Sequence, residues 1–161
     1  MRILTLLITL FCAVPVGAGQ STSGKPAQEP FSITITAVTP EVEVGSPVEI
    51  RIRLVNNSNH DIDQSGLYAY GLLNPNYQYD VRTENGRPVR PKKLEGPIIG
   101  SFVAGSVKQG AAVEQSTVIS AAYDLPPGKY FIQLARPISQ NPKDGVVKSN
   151  KITITVTPKK K

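Results

Sequence analysis

The chain of 161 residues has one histidine and one cysteine, and that scarcity limits the chemistry open to it. Nucleophilic catalysis by a Ser-His-Asp or Cys-His set needs an imidazole held beside the nucleophile. His60 is the sole candidate. It lies in Asn56-Asn57-Ser58-Asn59-His60-Asp61, a run whose side chains bond their own backbone and so make a turn. A solvated turn histidine is the reading, and no catalytic residue is assigned. Asn59, Asp61, Asp63 and Ser65 alternate oxygen donors in the manner of a calcium loop. Position six of such a loop would be Gln64 rather than Gly, and position twelve Tyr70 rather than Glu, so turn chemistry is preferred. No metal or other cofactor is assigned.

The residues with most to offer a partner are tyrosines. Leu67 to Leu72 and Tyr77 to Arg82 read as a hairpin turned by Leu73-Asn74-Pro75-Asn76. If Leu72 opposes Tyr77, then Tyr70 opposes Tyr79 and Tyr68 opposes Val81, which gathers Tyr68, Tyr70, Tyr77 and Tyr79 on one face. Exposed, that face would be a rigid amphipathic platform for a partner. Since Gln78, Asp80 and Arg82 take the opposite face, a core-facing role is favoured over the platform. The Gly- and Pro-rich stretch from Pro91 to Gly110, anchored only by Ile98, Ile99, Phe102 and Val103, reads as a long connection with a short edge strand. With the tyrosines, Ile98, Ile99 and Phe102 complete the candidate interaction surface.

The elements that must position these residues follow an exported front end. Arg2, the apolar run Ile3 to Val16 and the small residues Gly17-Ala18-Gly19 match a cleavable signal peptide over 1–19. The run is shorter than the roughly 20 residues a spanning helix needs. Cleavage removes Cys12, so the mature chain has no disulfide, and a bacterial periplasmic or secreted location is expected. Residues 20–30 read as a disordered linker, 31–157 as one domain and 158–161 as a basic tail. The formal charge of +6 lies mostly outside the domain, where 13 basic residues stand against 11 acidic ones, so nucleic acid is not an expected partner.

Within the domain the apolar period is two. Phe31 to Val38 and Val48 to Val55 alternate, with Val48, Ile50, Ile52 and Leu54 on one face and Glu49, Arg51 and Arg53 on the other. Asn85-Gly86 predicts a hairpin turn with two positive φ angles and a short strand over Pro88-Val89-Arg90. Ala112 to Ser120 alternates weakly, and Val146 to Thr157 reads as one last strand with Ile152, Ile154 and Val156 inward. Between them stands Asp124-Leu125-Pro126-Pro127-Gly128-Lys129-Tyr130, where two prolines fix φ, Gly128 can take a positive φ, and a Tyr follows. Leu125, Pro127, Gly128 and Tyr130 are assigned as a structural corner. No window of ten or more residues beyond the signal has a helical period. The class is all-β, a single antiparallel β-sandwich of about 7–9 strands.

Three pieces carry a family resemblance. They are Gly45-Ser46-Pro47-Val48 running to Leu54-Val55-Asn56-Asn57-Ser58, the Leu125-Pro126-Pro127-Gly128-Lys129-Tyr130 corner, and Ser149-Asn150-Lys151-Ile152-Thr153-Ile154-Thr155-Val156. Together they resemble secreted bacterial immunoglobulin-like or fibronectin type III-like domains. The resemblance implies an immunoglobulin-like sandwich with a tyrosine corner at Tyr130. The chain lacks the Trp and the Cys pair of antibody-type domains. A non-enzymatic exported domain that binds a protein or envelope component is the expected function, with a protease-inhibitor-like module acting through residues 91–110 as the alternative.

Overall fold

The computed structural model describes residues 29–69, 73–93 and 100–160. The chain is mostly β. Its strands are β1 (Phe31–Ala37), β2 (Glu41–Glu43), β3 (Glu49–Asn56), β4 (Ile62–Asp63), β5 (Gly66–Ala69), β6 (Gln78–Thr83), β7 (Gly100–Val103), β8 (Ser106–Val107), β9 (Ala112–Val118), β10 (Gly128–Pro137), β11 (Val146–Lys148) and β12 (Ile152–Thr157). One helical turn, Ile119–Ala122, follows β9.

Two sheets face each other. The first has the order β1-β3-β9, all antiparallel. The second is built on β10, with β6 along one side and β11 and β12 along the other, and β2 added parallel to β12. The core lies between them. Ile50, Ile52 and Leu54 of β3 and Ile132 and Leu134 of β10 are buried, with the charged residues of β3 outward. Each such side chain contributes about 1.5–3 kcal/mol by leaving water.

Between β11 and β12, within the second sheet, the chain carries a bulge. The β10–β11 register pairs Ala135 with Lys148, and the β10–β12 register pairs Ile132 with Ile152. Residues 149–151 therefore stand opposite residues 133 and 134, one residue too many, which is the definition of a β-bulge. The single strand predicted over Val146 to Thr157 is thus two. The extra residue reverses parity, so Val147 is buried before the bulge and Ile154 and Val156 after it. Ser149 bridges the gap, its Oγ accepting from Leu134 N–H at 2.9 Å and its N–H donating to Leu134 O at 2.9 Å.

Asn150, on the bulge, reaches the other sheet. Its Oδ1 accepts from Ile35 N–H at 2.8 Å and its Nδ2 donates to Ile35 O at 2.9 Å. Because Val38 N–H bonds Glu49 O on β3, the N–H and C=O of odd-numbered β1 residues point away from β3. Ile35 is fully buried, so its edge groups would otherwise be stranded.

At the start of β10, Tyr130 is buried and its hydroxyl donates to Pro126 O at 2.7 Å. Leu125 packs against the core, while Pro127 and Gly128 are exposed. Gly128 is nearly extended, with φ of 159°, rather than turning the chain tightly.

Two further expectations are corrected. At Asn85-Gly86 only the glycine has positive φ, 76°, so the turn is not the mirror-image type that Asn-Gly favours. Val89 N–H still returns to Val81 O at 2.8 Å. Among the described residues the expected tyrosine pairing is not found: β6 pairs with β10, placing Tyr79 opposite Leu134 and Val81 opposite Ile132, while β5 pairs with β7, placing Tyr68 opposite Ser101. Burying Val81 and Tyr79 over the inward face of β10 outweighs the local pairing. Tyr70, Ile98 and Ile99 lie outside the described residues.

Tyr130→Phe is expected to cost about 1 kcal/mol, one hydrogen bond, and Tyr130→Ala about 3–5 kcal/mol in urea unfolding. Silence of both would remove the corner's role. Asn150→Ala strands one buried donor and one buried acceptor and is expected to cost about 2–4 kcal/mol. Asn150→Asp should not rescue it, since a carboxylate cannot donate to Ile35 O; a stability within about 0.5 kcal/mol of the unmodified chain for either variant would contradict this.

Candidate functional site

At the end of β10 far from Tyr130, the inward side chain is an arginine. The alternation that buries Tyr130, Ile132 and Leu134 brings Arg136 inward as well, at 7% exposure. Its guanidinium lies over the Phe31 ring, 5.4 Å from the centroid, and 5.8 Å from that of Tyr77. Such contacts favour a cation partly withdrawn from water. Nη2 donates to the backbone carbonyl of Asp63, and Nη1 is buried with no partner among the described residues. Among the described residues no carboxylate forms an ion pair with it.

A cleft of about 650 Å³ opens beside Arg136. Its lining includes His60, Asp61, Asp63 and Ser65, Pro75 and Asn76, and Ile138, Ser139 and Gln140. Of the turn residues weighed as a catalytic base or calcium loop, His60, Asp61, Asp63 and Ser65 are thus brought to this cleft, and their side chains are engaged. His60 Nδ1 lies 3.1 Å from Asn59 Oδ1. Asp61 accepts from Lys108 Nζ at 2.6 Å, which holds its carboxyl below the usual carboxylate value. Asp63 is lowered too, by hydrogen bonds from the Ser65 hydroxyl and N–H, with the charge of Arg136 assisting. Buried Asn56 fixes the turn, its Nδ2 donating to His60 O at 2.7 Å and to Val107 O at 2.9 Å.

The surface singled out from sequence is dispersed. Tyr77 is buried beneath Arg136. Tyr79 packs against the core, and burial raises its hydroxyl pKa. Tyr68 is in β5, paired with β7. Phe102, on β7, is 69% exposed and its neighbour Val103 49%. Among the described residues the β5–β7 ribbon joins neither main sheet. A second cleft, about 420 Å³, lies near Leu125 and Pro126, where Lys92 is held by Ser120 O at 2.8 Å and Asp124 at 3.3 Å.

In the sequence Arg136-Pro137 reads only as the end of the strand that follows the corner. Continuing the even-numbered alternation by one step would have turned the arginine inward.

No family model matches the chain, and no curated protein does. Among solved structures it is similar to the C-terminal domain of wzt, at 13% identity and a TM-score of 0.44, over 83% of this chain and 76% of that one. It is also similar to part of a family 123 glycoside hydrolase from Clostridium perfringens, at 9% identity and a TM-score of 0.38, over 81% of this chain and 28% of that one. No helix among the described residues is long and apolar enough to cross a membrane.

By NMR titration Asp61 is expected to ionise below its ordinary value of 3.8, and Lys108→Ala to move its midpoint back up. A folded-state pKa below the unfolded one adds stability at higher pH that is lost as pH falls through the lowered midpoint, so this contribution should fade below about pH 4. An unmoved Asp61 midpoint in Lys108→Ala would rule out the ion pair as its cause.

Proposed function

We propose that the chain is an exported, non-enzymatic sandwich of the immunoglobulin-like kind that docks a protein partner through the β5–β7 ribbon. The observation that carries this is Phe102, an aromatic side chain held outward on a strand whose four residues are all exposed. Burying a single large aromatic anchor supplies much of the energy of many interfaces. The two strands pair only with each other among the described residues, so an extended partner segment can add to an outer edge by backbone hydrogen bonds. The occupant is therefore a strand of another protein. Export rests on the signal-like 1–19, and the immunoglobulin-like assignment on the three sequence pieces together with the two facing sheets.

One strand of that ribbon, β7, lies within residues 91–110, the segment considered for protease inhibition, and one set of variants separates the readings. With a photo-crosslinker placed at position 102 of the mature chain, a discrete protein adduct is expected from envelope extract. Phe102→Ser should weaken capture of that protein by about tenfold or more while leaving the melting temperature unchanged; Val146→Ser, an exposed change on β11, should leave capture intact. Equal capture by Phe102→Ser would discard the ribbon as the docking surface. Inhibition of a protease panel that depends on Phe102 would replace the docking reading by the inhibitor one.

A further inference from the structure

We propose that the cleft at Arg136 is a carboxylate-binding site, with Arg136 as its anchor. It is separate from the β5–β7 ribbon and does not depend on it.

The argument begins with what the protein does not supply. A guanidinium presents five N–H donors in a planar fork suited to a carboxylate. Arg136 is more than nine-tenths buried, yet among the described residues Nη2 has a neutral carbonyl as acceptor and Nη1 has none. Burying a cation without an ion pair is unfavourable. An arginine that served only to close the end of the core would be expected to meet a carboxylate there, and two are close at hand. Asp61 is instead drawn to Lys108 and Asp63 to Ser65. Asp61 and Asp63, which line the same cleft, are thus engaged by other donors, and the buried Nη1 of Arg136 is left to an acceptor that enters the cleft.

The cleft itself supports an external ligand of this kind. It borders Arg136 directly, and about 650 Å³ is room for several non-hydrogen atoms beyond a carboxylate. Pro75, Pro137 and Ile138 give it apolar walls, while Ser139 and Gln140 offer polar groups at the rim. Phe31 and Tyr77 fix the guanidinium plane, which reduces the ordering cost of a bidentate bond. Two sources of the same chemistry fit, a small free carboxylic acid and the free C-terminus of a peptide.

The test uses the intact mature domain. Acetate is titrated at constant ionic strength against chloride, followed by amide NMR shifts, and in parallel a tripeptide with a free C-terminus and its C-terminal amide are titrated. Saturable shifts at Ser65, Arg136 and Ser139 with acetate or the free peptide, absent with the amide, are expected. The free peptide binding more tightly than acetate identifies a chain end as the source; equal binding identifies a small acid. Gln140→Glu adds a negative charge at the rim without touching Arg136 and should weaken binding about threefold or more at low salt, and Gln140→Lys should strengthen it. Arg136→Lys, which keeps the charge and loses the fork, should weaken it about tenfold. No saturable shifts, or equal binding of the amidated peptide, would overturn the proposal. Indifference to both Gln140 variants would overturn it even if Arg136→Lys failed to fold.

Discussion

One primary amide joins the two sheets by hydrogen bonds to the backbone. Asn150 presents to Ile35 what a neighbouring strand would present, an acceptor for its N–H and a donor for its C=O. Its reach depends on the bulge at 149–151, which turns the side chain out of the β10 ladder and toward β1. Without the bulge, residues 152, 154 and 156 would swap faces with their threonine neighbours, and the last strand would offer the core hydroxyls in place of Ile154 and Val156. One inserted residue therefore closes the buried edge of the first sheet and keeps the second sheet's apolar face inward.

That device explains why some of the fold could be read from sequence and some could not. Strand β3 was legible because its face pattern is local: four apolar residues at alternate positions and charges between them. The bulge was not, because Val146 to Thr157 alternates acceptably as one strand until Val147 is required to be buried alongside Ile154. The tyrosine hairpin failed for a related reason. Asn74-Pro75-Asn76 does make a turn, with Tyr77 N–H bonding Asn74 O at 3.2 Å, but a turn does not fix the partner of the strand that follows. Pairing with β10 joins segments some fifty positions apart in sequence, and only the competition for the apolar face of β10 selects it.

The candidate sites were legible only in fragments. Phe102 was singled out by residue type, and exposure depends on a ribbon pairing that period-two patterning cannot resolve in so short a strand. His60, Asp61, Asp63 and Ser65 were singled out by their oxygen and nitrogen donors, and each was assigned to a turn; that the turn forms the wall of a cleft follows from β4 pairing with β8 and from Asn56 tying the turn to Val107. Arg136 was visible as a residue but not as a site, since its meaning comes from the phase of β10 and from the rings of Phe31 and Tyr77, which lie far away in sequence.

The two ends of β10 solve the same problem in opposite ways. Each must terminate a core with a side chain that carries a polar tip. At one end Tyr130 turns a neutral hydroxyl to Pro126 O, so the ring fills space and its polar group is satisfied at short range. At the other, Arg136 brings a full charge into comparable burial and leaves part of it unmet. A neutral cap would have served packing equally well there. Desolvation opposes the arginine, and two aromatic faces with one carbonyl offset that opposition only in part. The asymmetry follows from which groups surround each tip: the tyrosine's acceptor is fixed by a proline-constrained corner, whereas the arginine's natural acceptors, Asp61 and Asp63, are held by Lys108 and Ser65 at the rim of an open cleft.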